Sequence, residues 1–219
     1  MPYFLSPLIK QGSQGMWGEG SGYEKKNIYS IEEGKLPPVH YDEHIFRPHS
    51  LTHMETSAHV NEGGHTIDYY YQNHSDFFYG DALVVKLKGN RYPLWEITKE
   101  ELQAALGAAD IPKKILITSE NYPVNEDGFH DPEQVMILSE GAADFLVESG
   151  VHLYGCSWKS SDFKPGRSER PIHKKLFQNG VVLENLKLDH VPAGKYFMVA
   201  APIPVVGASE MVVMPVLLD

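Results

Sequence analysis

His49-Ser50-Leu51-Thr52-His53-Met54-Glu55-Thr56-Ser57-Ala58-His59 places three histidines and a glutamate within eleven residues. Nitrogen and oxygen donors at this density are what a transition-metal site needs. Seven of the eleven histidines lie between His40 and His74, a concentration that scatter does not give. The spacing also constrains the backbone. At about 100° per residue, a helix would put His49 and His53 on one face and turn Glu55 to the other side. On a straight strand all four positions share a face, but four residues separate His49 from His53 by about 13 Å, too far for one ion. Convergence on a metal therefore requires a bent or looped backbone. Ser50, Thr52, Thr56 and Ser57 suit such a path, because their hydroxyls satisfy backbone groups in irregular structure. The competing reading is a solvated polar loop with incidental histidines. The chain has no His-Glu-x-x-His pair of a zincin helix, and no closely spaced His-x-His of a cupin barrel.

Downstream, Asp81-Ala82-Leu83-Val84-Val85-Lys86-Leu87 reads as a mostly buried strand. Thr98-Lys99-Glu100-Glu101 is a capping-box sequence, with Leu102, Ala105 and Leu106 on one stripe of a helix ending near Gly107. Lys114 to Thr118 is a short buried strand, Ser139 to Glu148 a helix that stops at Gly150, and Val151 to Gly155 another strand. Strand, helix, strand in that order predicts a parallel pair joined by a crossover. The segments 181–186, 195–200 and 211–218 read as apolar strands between Pro and Gly turns. Residues 11–40, with short apolar pieces around Met16-Trp17 and Asn27-Ile28-Tyr29, look like a long loop with one strand. With no repeat or linker, residues 1–219 are expected to form one α/β domain: a mixed central sheet flanked by a few helices.

Composition limits the partners. A formal net charge of -10 argues against nucleic acid and anionic membranes. The single cysteine, Cys156, excludes an internal disulfide and a cysteine-based zinc finger, and it is expected to be a buried strand-end residue. No segment approaches the roughly 18–20 apolar residues of a membrane span, and Met1 to Gly12 has no signal-peptide pattern. The expected location is cytoplasmic, with a small-molecule substrate.

The 49–59 stretch resembles the signature His-x-Gly-Thr-His-x-Asp-x-Pro-x-His of the Putative cyclase family, which includes bacterial kynurenine formamidases and isatin hydrolases. His49, Thr52, His53 and His59 are in register; Leu51, Glu55 and Ser57 replace glycine, aspartate and proline. The resemblance extends to Leu5-Ser6-Pro7-Leu8, to Phe78-Tyr79-Gly80-Asp81-Ala82 and to 155–162, where Gly155, Ser160 and Asp162 match and Ser157 replaces aspartate. It continues through Pro171-Ile172-His173-Lys174-Lys175-Leu176 and Leu183-Glu184-Asn185-Leu186.

The resemblance implies a swivelling β/α-type fold with a partly closed barrel, binding one or two divalent ions, Zn or Mn. His49, His53 and Glu55 would hold one ion; Glu55, His173 and Glu184 a second, with Glu55 bridging. His59 would be the acid/base residue. Homodimers or homotetramers are also implied. The implied reaction is hydrolysis of an amide, formamide or lactam by a metal-activated water, with an imidazole moving the proton. Alternatives are a metal-dependent cyclase, dehydratase or lyase, and a non-catalytic metal-binding homologue. Leu51 is expected to crowd the approach to the metal, and Ser157 to remove a carboxylate that fixes its loop. These departures argue against kynurenine formamidase activity itself. Trp17, Phe46, Trp158 and Tyr69-Tyr70-Tyr71 are candidate stacking residues, although the tyrosine run reads better as core or subunit contact.

Overall fold

The computed structural model describes residues 1–18, 20–89, 94–107, 110–162 and 168–219. In chain order the strands and helices begin with β1 (Tyr3–Phe4), β2 (Tyr23–Tyr29), β3 (Tyr41–Phe46), β4 (His53–Glu55) and α1 (Ile67–Asn73). Next come β5 (Tyr79–Leu87), β6 (Leu94–Ile97), α2 (Lys99–Leu106), β7 (Lys114–Ser119), β8 (Val135–Leu138), α3 (Glu140–Glu148) and β9 (Leu153–Cys156). The chain finishes with α4 (Pro171–Leu176), β10 (Val181–Glu184), β11 (Gly194–Val199), β12 (Glu210–Val212) and β13 (Val216–Leu218).

A buried run such as Ala82 to Leu87 needs cover on both faces of its sheet. It has it. Leu83, Val85 and Leu87 join Ile115 and Ile117 under α2, α3 and α4, while Ala82 and Val84 join Leu116, Leu153 and Leu183 on the side of α1. The four central strands β5, β7, β9 and β10 are mutually parallel, and the remaining neighbours are antiparallel. The expected β7–α3–β9 unit is present as a parallel pair. The capping box at Thr98 forms as read, with Thr98 and Glu101 exchanging side chain-to-backbone hydrogen bonds.

The order of the nine-stranded sheet is β1-β13-β11-β5-β7-β9-β10-β4-β12. Laid flat, seven strand spacings would separate β12 from β13 by about 34 Å. Only residues 213–215 join them in the chain, a link reaching at most about 14 Å. The sheet must therefore curl until its flanks approach, which yields the partly closed barrel. The single strand expected at 211–218 is thus two strands, near opposite margins. Pro215, which has no N–H to give a ladder, marks the break.

Residues 11–40 carry the one expected strand, and its pairing is the new finding. Tyr23–Tyr29 pairs with Tyr41–Phe46 in a separate, mostly exposed two-stranded ribbon. β6 and β8 form a second small parallel sheet that the sequence pattern did not reveal. No helix among the described residues is long and apolar enough to cross a membrane.

Two features yield predictions. Gly155 lies in β9 where a Cβ would sit 2.4 Å from Leu116 Cδ2 and 2.8 Å from Leu186 Cδ1. Gly155→Ala should destabilise the protein by about 1–3 kcal/mol through overpacking; an unchanged melting midpoint would show that both leucines yield freely. His130 is buried, and desolvation, reinforced by the charge of Lys159, lowers its pKa to about 3. Its unfolded form titrates near 6.5, so its contribution is complete above that pH and is lost as pH falls toward 3. Melting curves from pH 7 to pH 4 should show a shallower acid decline for His130→Leu than for the wild type, and parallel declines would refute this.

Candidate metal centre

Side chains two apart on a strand share a face, so His53 and Glu55 point one way from β4 while Met54 enters the core. Antiparallel pairing sets Glu184 of β10 directly across from His53, and Glu210 of β12 across from Glu55. Three carboxylates and a histidine are thereby placed on one patch of sheet by register alone. Two 3-10 turns supply the remaining imidazoles. Pro48–Ser50 precedes β4 and carries His49, and Ser57–His59 follows it and carries His59. The backbone is bent on both sides of a three-residue strand, as the ligand spacing demands.

Asn185 fixes the first bend. Its side-chain amide nitrogen donates to the carbonyl oxygens of His49 and Leu51, 3.0 Å each, and its main-chain carbonyl accepts from Thr52 Oγ1 at 2.7 Å. It adopts a left-handed backbone (φ 59°), which asparagine tolerates better than most residues. Asn185 stood within the segment that resembles the family, yet its clamping role depends on contacts 133 or more residues apart in sequence.

The result is a compact donor cluster. Glu55 Oε1 lies 3.0 Å from His49 Nδ1, 3.2 Å from His53 Nε2 and 3.5 Å from His59 Nε2. Glu55 Oε2 lies 2.9 Å from His173 Nε2, which is 3.2 Å from Glu184 Oε1. All six residues named from the sequence therefore meet at one place. Glu55, Glu184, His53 and His173 are buried, and His49 and His59 are partly exposed.

Sequence reasoning gave no role to three other groups. Asp162, carried by the loop after β9, accepts from the His173 backbone N–H at 2.9 Å and lies 3.2 Å from His173 Nδ1, so it orients the ring. The Ser161 N–H donates to Glu184 Oε1 at 2.5 Å. Glu210 stands 3.9 Å from both His49 Nε2 and His59 Nδ1. No spacing signal in the 49–59 stretch could have found Glu210, because strand pairing brings it in.

The electrostatics follow from two carboxylates buried together. Desolvation pushes the Glu55 carboxyl up, but His173, His49 and His53 outweigh it and leave it well below the usual range. Burial would depress His173, yet Glu55, Asp162 and Glu184 raise it well above an ordinary imidazole. His49 is likewise raised by Glu55 against its own desolvation. His59 and Ser209 bring Glu210 down to about 2 despite partial burial. The cluster thus demands positive charge. A divalent cation would meet that demand, and the donors fit one: a tetrahedral shell with bonds of 2.0–2.1 Å has edges of about 3.3–3.4 Å, close to the 2.9–3.5 Å separations here. His49, Glu55 and His59, and separately His53, Glu55 and Glu184, each offer donor atoms within 4.8 Å of one another. The donors open into a cavity of about 460 Å³, with Trp17, Phe46, Arg47 and Arg170 on its walls.

Comparison with known proteins identifies the family. A sequence model described as Putative cyclase matches residues 5–162. A kynurenine formamidase of Bacillus cereus is 30% identical over 188 residues, spanning 85% of this chain and 79% of the relative. The chain belongs to the Putative cyclase family. Among solved structures, one described as a potential metal-dependent hydrolase with cyclase activity matches at 23% identity and TM-score 0.74, covering 99% of this chain and 96% of that one. Isatin hydrolase A from Labrenzia aggregata matches at 15% identity and TM-score 0.76, over 100% and 93%.

The departures from the family signature are accommodated. Leu51 does not line the cavity; it is buried with Met16 and Phe129, correcting the expectation that it crowds the site. Ser57 Oγ accepts from the His65 N–H at 2.8 Å. Ser157 Oγ donates to Thr118 Oγ1 at 2.9 Å, so a neutral hydrogen bond holds a position where the family carries aspartate. Cys156 is a buried strand-end residue, as expected. Of the aromatic candidates, Trp17 and Phe46 face the cavity, Trp158 is fully buried, Tyr69 and Tyr70 pack in the core, and Tyr71 is exposed.

Asn185→Ala would free the carbonyls that hold the first bend. It is expected to weaken zinc binding about tenfold or more, as loss of a supporting hydrogen bond around a metal does, in a titration against a competing chelator. Unchanged affinity would deny Asn185 a part in shaping the site.

Proposed function

We propose that this protein is a metal-dependent hydrolase acting on the C–N bond of an amide, formamide or lactam. One observation carries the reading: of the two oxygens of the buried Glu55 carboxylate, Oε1 faces His49 and His53 while Oε2 faces His173, itself beside Glu184, all beneath a cavity of substrate size. His49, His53 and Glu55 would hold one divalent ion, zinc or manganese, and Glu55, His173 and Glu184 a second. An ion bound there supplies the charge that lowers the pKa of water toward about 7 and polarises a carbonyl.

The chain's own residues supply the rest. His59 projects Nε2 toward Glu55 Oε1 and Nδ1 toward Glu210. In this reading it takes a proton from attacking water at Nε2 and returns it to the departing nitrogen as the C–O bond forms and the C–N bond breaks. Trp17 and Phe46 offer apolar walls for a planar group beside the reacting carbonyl. Cys156 is buried and its thiol is pushed well up by burial, which suits packing better than nucleophilic attack. The kinship with kynurenine formamidases supports formamides as the first substrates to try.

The test is turnover of formamides, including N-formylkynurenine, lactams and esters by protein loaded with zinc or manganese in ¹⁸O-labelled water. Hydrolysis places the label in the product; cyclisation or dehydration does not. His59→Ala should lower kcat by about 10²–10⁴-fold while metal content stays that of the wild type. Glu184→Ala should lose half of the bound metal if two ions are held, and Glu55→Ala should lose nearly all. Wild-type protein that binds no divalent ion would end the proposal.

A further inference from the structure

The cavity wall carries a cation that the chemistry above does not use. Arg170 lines the cavity beside Trp17, with its guanidinium carbon 5.9 Å from the indole centroid. Among the described residues, its Nη1 donates to the neutral Ser160 Oγ at 3.3 Å. The other cavity arginine is already engaged. Arg47 donates to the Ser21 carbonyl at 2.5 Å and to Glu24 at 2.7 Å. Lys159 lies over the same indole, 4.5 Å from its centroid, but is buried and donates to the Met16 carbonyl at 3.2 Å.

The backbone at Arg170 is costly. It is left-handed, with φ 52° and ψ 48°, immediately before Pro171. A residue before proline is pushed toward extended backbone, and a non-glycine residue in this region is itself disfavoured. Such conformations persist where surroundings over-determine them, and they concentrate at ligand clamps. Here the strained residue presents a guanidinium to the cavity of a protein whose net charge is -10. In so acidic a chain, positive charge at this wall is selective: it favours a ligand whose far end is anionic. Guanidinium is also the group that grips a carboxylate with two parallel hydrogen bonds.

We propose that Arg170 is a specificity-determining residue and that the substrate is an aromatic or similarly planar amide bearing a carboxylate, held by Arg170 while its carbonyl lies over the donor cluster. The proposal rests on the hydrolase reading for the reacting end and on Arg170 alone for the anionic end.

Zinc-loaded and manganese-loaded protein is given formanilide and its ortho-, meta- and para-carboxylated counterparts. At least one carboxylated substrate should exceed formanilide in kcat/KM by about tenfold or more, the worth of one charged hydrogen-bonded contact, with the gain in KM. Arg170→Gln should abolish most of that ratio, and Arg170→Lys, which keeps the charge without the fork, should retain part of it. A guanidinium that merely braces Ser160 would alter both substrates alike. Equal wild-type kcat/KM for charged and neutral substrates, or a ratio unmoved in Arg170→Gln, overturns the proposal. Calorimetric binding of aminobenzoates and aniline separates the two readings. If no formanilide is turned over, the hydrolase reading fails on these substrates, while aminobenzoate binding weakened tenfold by Arg170→Gln still upholds the anchor. Binding equal in wild type and Arg170→Gln overturns it.

Discussion

Burial of Glu55 between β10 and β12 is the constraint on which this structure turns. A carboxylate withdrawn from water is tolerated only when charge and hydrogen bonds replace its hydration. Glu55 is surrounded by four imidazoles, and a second buried carboxylate, Glu184, shares His173 with it. The arrangement is costly without added positive charge. The raised pKa of His173, caused by Glu55, Asp162 and Glu184 around it, expresses the same demand. Packing alone gives no reason to put two acids in this place; cation binding does.

Much of this was legible in the residues. The ligand spacing in 49–59 required a bent chain, and the structure provides a turn, a three-residue strand and a second turn. The β7–α3–β9 unit and the Thr98 cap followed from local patterns, because periodicity and capping chemistry act within a few residues. His173 and Glu184 were named through the family resemblance, with weaker support from a carboxylate closing the apolar run Val181-Val182-Leu183, since neither sits in a spacing motif. Glu210, Asn185 and Asp162 gained roles only in three dimensions. Register across β4 and β12 places Glu210, and contacts spanning 133 to 136 residues make Asn185 a clamp. The partner strand β3, and so the β2–β3 ribbon, was missed because these residues are mostly exposed and carry no buried face to impose alternation.

The signature departures show how a site keeps its geometry while its supports change. Where glycine is usual, Leu51 turns its side chain into a small apolar cluster. Where proline would stiffen the turn, the Ser57 hydroxyl ties it to His65. Where aspartate would add charge, Ser157 and Thr118 share a neutral hydrogen bond. The altered positions brace the site from behind, whereas Glu55 alone changes the donor set, keeping a carboxylate at greater reach.

The short span Val213-Met214-Pro215 acts as a hoop fastening. It joins the strand beside the donor cluster to one near the opposite margin of the sheet. Strain entering at the far margin therefore reaches Glu210, and through it the neighbourhood of His49 and His59, along a few covalent bonds. Severing that fastening would unroll the barrel from the margin that holds the chemistry, so the integrity of the closure and the alignment of the donors form one mechanical unit.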